Sequence, residues 1–208
     1  MRFKSFSIYT LLFLISFLTQ AQDTVITYYK FGSIREKISM KNEKRNGCTK
    51  FYYPSGNLNG IFDYQNDLPN GHWRYYNLNG VLVADEFWKQ GLQDSLQKYF
   101  FDNGKIQKTG FFKNGLFDGH WLFYHENGNI KEDGYFYLGQ PHGYWKMYTE
   151  NGVLYQEGSY REGKEQGQFK FYDAHKGYLL KEGNFENGQA VGDWYKFNKK
   201  GKKVLLKE

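Results

Sequence analysis

Residues 119–142, GHWLFYHENGNIKEDGYFYLGQPH, and residues 143–166, GYWKMYTENGVLYQEGSYREGKEQ, are one pattern written twice. They agree in Gly at position 1, Trp at 3, Tyr at 6, Asn-Gly at 9 and 10, and an aliphatic residue at 12. Further on they share an acid at 15, Gly at 16, an aromatic at 18 and Gly at 21. Working outward, the glycine of position 10 recurs as Gly32, Gly56, Gly80, Gly104, Gly128 and Gly152, always 24 residues apart. Gly177 and Gly201 continue the series after one inserted residue near Lys176. Units therefore start at Asp23, Gly47, Gly71, Ser95, Gly119, Gly143, Gly167 and Gly192. A fixed period of this length marks an array of supersecondary units that bury their apolar faces only by stacking.

The kind of unit follows from its turn. Asn79-Gly80, Asn103-Gly104, Asn127-Gly128 and Asn151-Gly152 each lie between two aromatic or aliphatic runs. That predicts a hairpin with a two-residue type I′ turn, both residues at positive φ. Cross-strand partners then sum to 19. Position 4 faces position 15, which pairs Arg74 with Asp85, Lys146 with Glu157 and Lys170 with Glu182. Such pairs contribute about 0.2–1 kcal/mol each. Position 3 faces position 16, which sets Trp121 against Gly134 and Trp145 against Gly158, a ring covering a strand glycine. Alternation puts positions 3, 5, 12 and 18 on an apolar face, and positions 4, 6 and 15 on a charged face striped with tyrosine. The expected fold is all-β: tandem 24-residue hairpins forming one elongated, twisted antiparallel sheet over residues 23–208. At about 4.8 Å per strand it would run on the order of 70 Å.

Composition agrees. Aromatics make up 21% of the chain and Gly 24 of its 208 residues, with a mean hydropathy of −0.77, a balance suited to strands and tight turns. With one cysteine, no intrachain disulfide is possible. Residues 1–22 read as a secretory signal: Arg2 and Lys4 precede the apolar run Ile8–Leu18, and cleavage is expected after Ala21 or Gln22. The expected location is periplasmic, outer-envelope or secreted. Without Arg2 and Lys4, 26 basic residues face 22 acidic ones, too mild and too interspersed a surplus for nucleic acid.

The pattern G-x-W-x-x-Y-x-x-N-G-x-L-x-x-x-G-x-Y-x-x-G resembles the MORN repeat, and more closely the bacterial MORN-repeat variant of the YwqK family of antitoxins. The resemblance spans residues 23–208. It implies scaffolding, dimerisation or membrane-tethering roles, with an antitoxin role attached to the YwqK name. Asp23–Asn46 lacks the Trp, Ser95 and Gln97 replace Gly and Trp in their unit, and Lys203 sits in the leucine column. Degenerate ends suit capping repeats, and a lysine-rich end discourages edge pairing.

Catalytic chemistry has no foothold in this pattern. His120 and His125 are five apart on one predicted strand, so they point to opposite faces and cannot share a metal. Cys48 has no motif around it. The acids are explained as cross-strand partners, and no unit stands out as a singular site. No residue is assigned a catalytic or metal-binding role, and no cofactor is expected. The chain reads as a non-enzymatic interaction or structural scaffold of the bacterial envelope. Its candidate face is Tyr52, Tyr76, Tyr124, Tyr148 and Tyr172, among Lys and Glu. The expected partner is another protein; an envelope glycan or a lipid surface is the alternative. The competing role for these tyrosines is to stiffen the sheet, since a residue present in every unit behaves as a structural requirement, whereas a binding site varies between units.

Overall fold

The computed structural model describes residues 23–206, so the expected leader at 1–22 lies outside the described residues. Among the described residues, 17 strands form one sheet. With Leu92–Gln93 and Ser95–Phe100 counted as two pieces of one strand, each strand pairs antiparallel with its neighbours in sequence, from Asp23–Tyr28 at one edge to Lys203–Leu206 at the other. A typical unit supplies a nine-residue strand and an eight-residue strand, as in Leu116–Tyr124 with Ile130–Tyr137 and Gln140–Tyr148 with Leu154–Arg161. The fourth unit departs from this: its first strand is split at Asp94 into Leu92–Gln93 and Ser95–Phe100.

The register follows the sequence reading over most of each hairpin. Arg74 faces Asp85, Lys146 faces Glu157, Lys170 faces Glu182, Trp121 faces Gly134 and Trp145 faces Gly158. The turn does not follow it. His125 N donates to Asn129 O at 2.8 Å and Gly128 N to His125 O at 2.9 Å, so the loop is a β-turn closed by a left-handed glycine. Gly128 has φ +100°, whereas Asn127 keeps negative φ. The asparagine has a different task. Asn127 Oδ1 accepts from Asn129 N at 2.9 Å, and its Nδ2 donates to Glu150 O in the next unit's turn at 2.7 Å. It therefore holds its own turn and ties that turn to the next.

The type I′ turns lie between units. Both central residues have positive φ at Gln90-Gly91, Asn114-Gly115, Leu138-Gly139, Glu162-Gly163 and Asn187-Gly188. The Gly N–H of each also donates to a carbonyl of the preceding unit, as from Gly115 to Gln93 and from Gly139 to Phe117.

A second correction concerns position 12. The register slips by one residue just before each loop, so Tyr124 faces Ile130, Tyr148 faces Leu154 and Tyr172 faces Leu179. Directly opposed residues share a face of the sheet. The bulge at position 13 thus turns the aliphatic residue of position 12 onto the tyrosine face, away from the core.

The core is the other face. Trp121, Trp145 and Phe169 are buried there, with Ile38, Phe62, Ala84 and Phe112. Trp121 pairs with two strand glycines, Gly134 and Gly110, but lies over the one in the preceding unit, as Trp145 lies over Gly134. A Cβ added to Gly110 would sit 2.2 Å from Trp121, and one added to Gly134 would sit 2.1 Å from Trp145. The indole N–H completes the joint: Trp121 Nε1 donates to Phe111 O at 2.9 Å and Trp145 Nε1 to Tyr135 O at 3.0 Å. Ring burial, which is about 1.5–3 kcal/mol per large apolar side chain, is therefore shared between adjacent units.

Candidate functional site

Columns that recur in every unit hold the sheet together; columns that change along it can carry specificity. The tyrosines of position 6 belong to the first kind. Tyr52, Tyr76, Tyr124, Tyr148 and Tyr172 form one row, all half-buried, each opposite the aliphatic residue of its own hairpin. Their backbones are also engaged: Tyr29 OH donates to Tyr52 O at 2.7 Å, Tyr53 OH to Tyr76 O at 2.8 Å, and His125 Nε2 lies 2.9 Å from Tyr148 O. The structure sets the five tyrosines in one row, and beside it Tyr172 OH donates to Glu157 at 2.5 Å.

A different stripe on the same face changes from unit to unit. Positions 2 and 17 face each other, as His72 with Phe87, Leu96 with Phe111, His120 with Tyr135 and Tyr144 with Ser159. Leu96, Phe111, Tyr135 and Tyr144 are each 43–50% exposed. In the outer units the same two columns hold small or polar residues: Thr24 and Ser39, Cys48 and Asp63, Gln168 and Asn184. The apolar, aromatic stripe is confined to the third to sixth units. Sequence reading missed it by attending to the recurring columns; the signal was the switch in residue type along columns 2 and 17.

The acids of position 15 flank this stripe. Asp85 lies 3.1 Å from His72 Nδ1 and 3.6 Å from Arg74 Nε. Asp133 lies 2.6 Å from His120 Nε2. Glu157 receives hydrogen bonds from Tyr172 and Tyr144. Burial by itself raises its pKa, but those bonds and the charges of Lys170 and Lys146 together hold the carboxyl below its usual value. Correspondingly, burial and the bond to Glu157 push Tyr144 up to about 12. The stripe is thus close to charge-balanced, with carboxylates as acceptors beside exposed rings.

One unit does stand apart, contrary to the sequence reading. Glu86 is buried on the apolar face, at the position that is glycine in later units. Its carboxylate accepts from Trp88 Nε1 at 2.9 Å and from Tyr99 OH at 3.0 Å. Gln93 Nε2 donates to Tyr99 OH at 3.3 Å, and Lys108 Nζ stands 4.3 Å from the Tyr99 ring centre. Burial lowers the Lys108 pKa, with Glu86 opposing the shift. Within the cluster the Glu86 carboxylate is satisfied by Trp88 and Tyr99. At Cys48, burial, then Asp63, pushes the thiol up, away from the reactive thiolate. His120 and His142 flank Tyr135 from its two neighbouring strands. Among the described residues, no group of three or more His, Cys, Asp or Glu is placed to hold a metal.

Four segments, residues 45–66, 93–114, 117–136 and 141–162, match the MORN repeat variant. Each begins just inside a nine-residue strand, or its split equivalent, and covers one structural hairpin, so the chain carries repeats of this type. No curated protein matches the chain. Among solved structures, one titled "Crystal Structure of TarM" is similar over 64% of this chain at 15% identity, with a TM-score of 0.25. The chain spans 21% of that one, and the likeness is too loose to speak to fold or function.

Proposed function

We propose that this array of MORN-variant repeats is an exported, non-enzymatic scaffold of the bacterial envelope, and that its central stripe docks another protein. One observation carries the reading: the exposed aromatic and apolar side chains at positions 2 and 17 are confined to four units of an otherwise regular array. Contiguous exposed apolar groups rimmed by charge mark interaction surfaces. Export rests on the basic and apolar character of residues 1–22. It also weighs against the antitoxin role, because an exported chain would be separated by a membrane from an intracellular toxin.

The test compares crosslinking capture from the native envelope by wild type, by Phe111→Ala with Tyr135→Ala, and by Tyr148→Ala. Both stripe residues are half exposed, so their loss should cost little stability. The stripe variant should lose the protein partner with its melting curve nearly unchanged. Tyr148→Ala should lower stability and, where still folded, keep the partner. Capture that survives the stripe variant would defeat the assignment of this surface.

A glycan is the second reading. Phe87, Phe111 and Tyr135 occupy position 17 on every second strand, about 10 Å apart, beside the carboxylates Asp85 and Asp133. Flat rings beside hydrogen-bond acceptors suit an extended chain of sugars. Stripe-dependent retention on purified cell wall, with no protein captured, would favour it.

A further inference from the structure

We infer that copies of this chain join head to tail, the Lys203–Leu206 strand of one copy pairing with the Asp23–Tyr28 strand of the next. The inference is independent of the stripe and rests on the two edges of the sheet. Among the described residues, Asp23–Tyr28 pairs only with Ile34–Lys41, and Lys203–Leu206 only with Gln189–Phe197. Each edge therefore presents a row of unpaired backbone groups. Both edges are apolar and exposed: Val25 and Ile26 at 44% and 40%, Val204, Leu205 and Leu206 at 43%, 43% and 39%. Neither strand contains proline. The lysine on the last strand does not guard it. Lys203 Nζ is folded back, 2.8 Å from Glu182 and 3.8 Å from the centre of the Tyr195 ring. The expected protection by a lysine-rich end is thus absent from the strand itself.

The occupant is fixed by phase. Within the chain, every joint between units follows one register, seen where Gly60 faces Tyr75, Ile61 faces Arg74 and Phe62 faces Trp73. The incoming strand presents its fifth, fourth and third positions. On the last strand, Val204, Leu205 and Leu206 face Lys196, Tyr195 and Trp194, so they stand where Lys181, Glu182 and Gly183 stand one unit earlier. The strand due next must offer positions 5, 4 and 3. In the first strand these are Thr27, Ile26 and Val25. The repeat register then sets Val204 against Thr27, Leu205 against Ile26 and Leu206 against Val25. All are apolar or β-branched, and cross-strand pairs of this kind stabilise a sheet. A last strand of the second kind meets a first strand of the first kind, so the array continues without a phase slip. The interface is heterologous and does not close on two copies, which makes the product open-ended.

The test is sedimentation velocity over a concentration series, on protein purified from cells expressing the full chain. Wild type should give a ladder of species that lengthens with concentration. Ile26→Lys and Leu205→Lys each block one end, and each alone should weaken association at least tenfold. A 1:1 mixture of the two variants retains one intact pair of ends and should stop at dimers. Position 4 is lysine in Lys50, Lys98, Lys146 and Lys170, but Ile26 directly faces Lys37, so Ile26→Lys also sets two like charges across the strand pair. If either variant loses its β-sheet circular dichroism, Ile26→Glu, which faces Lys37, and Leu205→Glu, at a position that is acidic in Asp85, Asp133, Glu157 and Glu182, replace it with the same expected pattern. Wild type that stays monomeric at all concentrations, a closed dimer indifferent to Leu205→Lys, or variants that associate like wild type would overturn the inference.

Discussion

The joints among the last five units and those among the first four solve one packing problem in different ways. From the fourth unit onward there is a single solution: a large ring at position 3 lies over a glycine at position 16 of the preceding unit. The pairs are Trp121 over Gly110, Trp145 over Gly134, Phe169 over Gly158 and Trp194 over Gly183. In the earlier part each joint differs. Ile38 meets Thr49 across the first. At the second, the glycine has moved two residues back: Phe62 covers Gly60, and Trp73 packs on Phe62 with ring centres 4.7 Å apart. At the third, Glu86 and Gln97 replace glycine and ring. What recurs is a volume to be filled between neighbouring strands, and a residue type recurs only where one choice fills it in successive units. Interiors are packed closely enough that each choice constrains its partner across the joint.

The largest effect should come from breaking the later solution. In Gly134→Ala the new Cβ would lie 2.1–2.6 Å from three atoms of the Trp145 indole, which is 4% exposed and has no room to yield. The ring must leave its site, so the cost should approach that of deleting it, about 3–5 kcal/mol. A fall in denaturation midpoint corresponding to less than about 1 kcal/mol would show that the ring can shift after all.

The next test exchanges one solution for the other. Gln97 is fully buried; its side chain accepts from Phe87 N at 2.8 Å and donates to Phe87 O at 2.9 Å and Asp94 O at 2.8 Å. Gln97→Trp removes those bonds and brings an indole toward Glu86, at a cost of about 2–3 kcal/mol from crowding and lost hydrogen bonds. Adding Glu86→Gly restores the pairing used later in the chain. The double variant should therefore recover part of the loss, with a favourable coupling of about 1–2 kcal/mol in a double-mutant cycle. Additive costs would mean that the two positions do not share a site.

Much of this was legible in the sequence, and the misses have physical causes. The period, the register at positions 3 and 4, and the antiparallel sheet follow from columns whose residue type is nearly fixed. The turns were misplaced because Asn-Gly occurs both within the fourth unit, at Asn103-Gly104, and at its end, at Asn114-Gly115. Only the second pair has both residues at positive φ. The asparagine of the first is selected by hydrogen bonds to neighbouring backbone, which a two-residue motif does not reveal. The bulge at position 13 is equally hidden, because no glycine or proline marks it, and it moved the aliphatic residues of position 12 to the other face. The stripe at positions 2 and 17 is written in the sequence as a departure from periodicity, and a reading organised by periodicity passes over it.

The smallest effect concerns the strand split at Asp94 and should be stabilising. Position 1 is glycine at positive φ in Gly47, Gly71, Gly119, Gly143, Gly167 and Gly192, because the chain bulges there between two registers. Ser95 occupies the same place with φ +63°. A residue with a Cβ loses about 1–2 kcal/mol in the left-handed region. Ser95→Gly relieves that strain, while the added freedom of the unfolded chain takes back about 0.4–1 kcal/mol. The net gain should be about 0.5–1 kcal/mol, read as a higher denaturation midpoint and slower amide exchange in Ser95–Phe100. The same substitution logic run backwards, Gly119→Ser, should cost a similar amount. A gain in one without a loss in the other would mean that Ser95 is held by its 2.9 Å bond to Asp94 Oδ1 more strongly than its backbone conformation is strained.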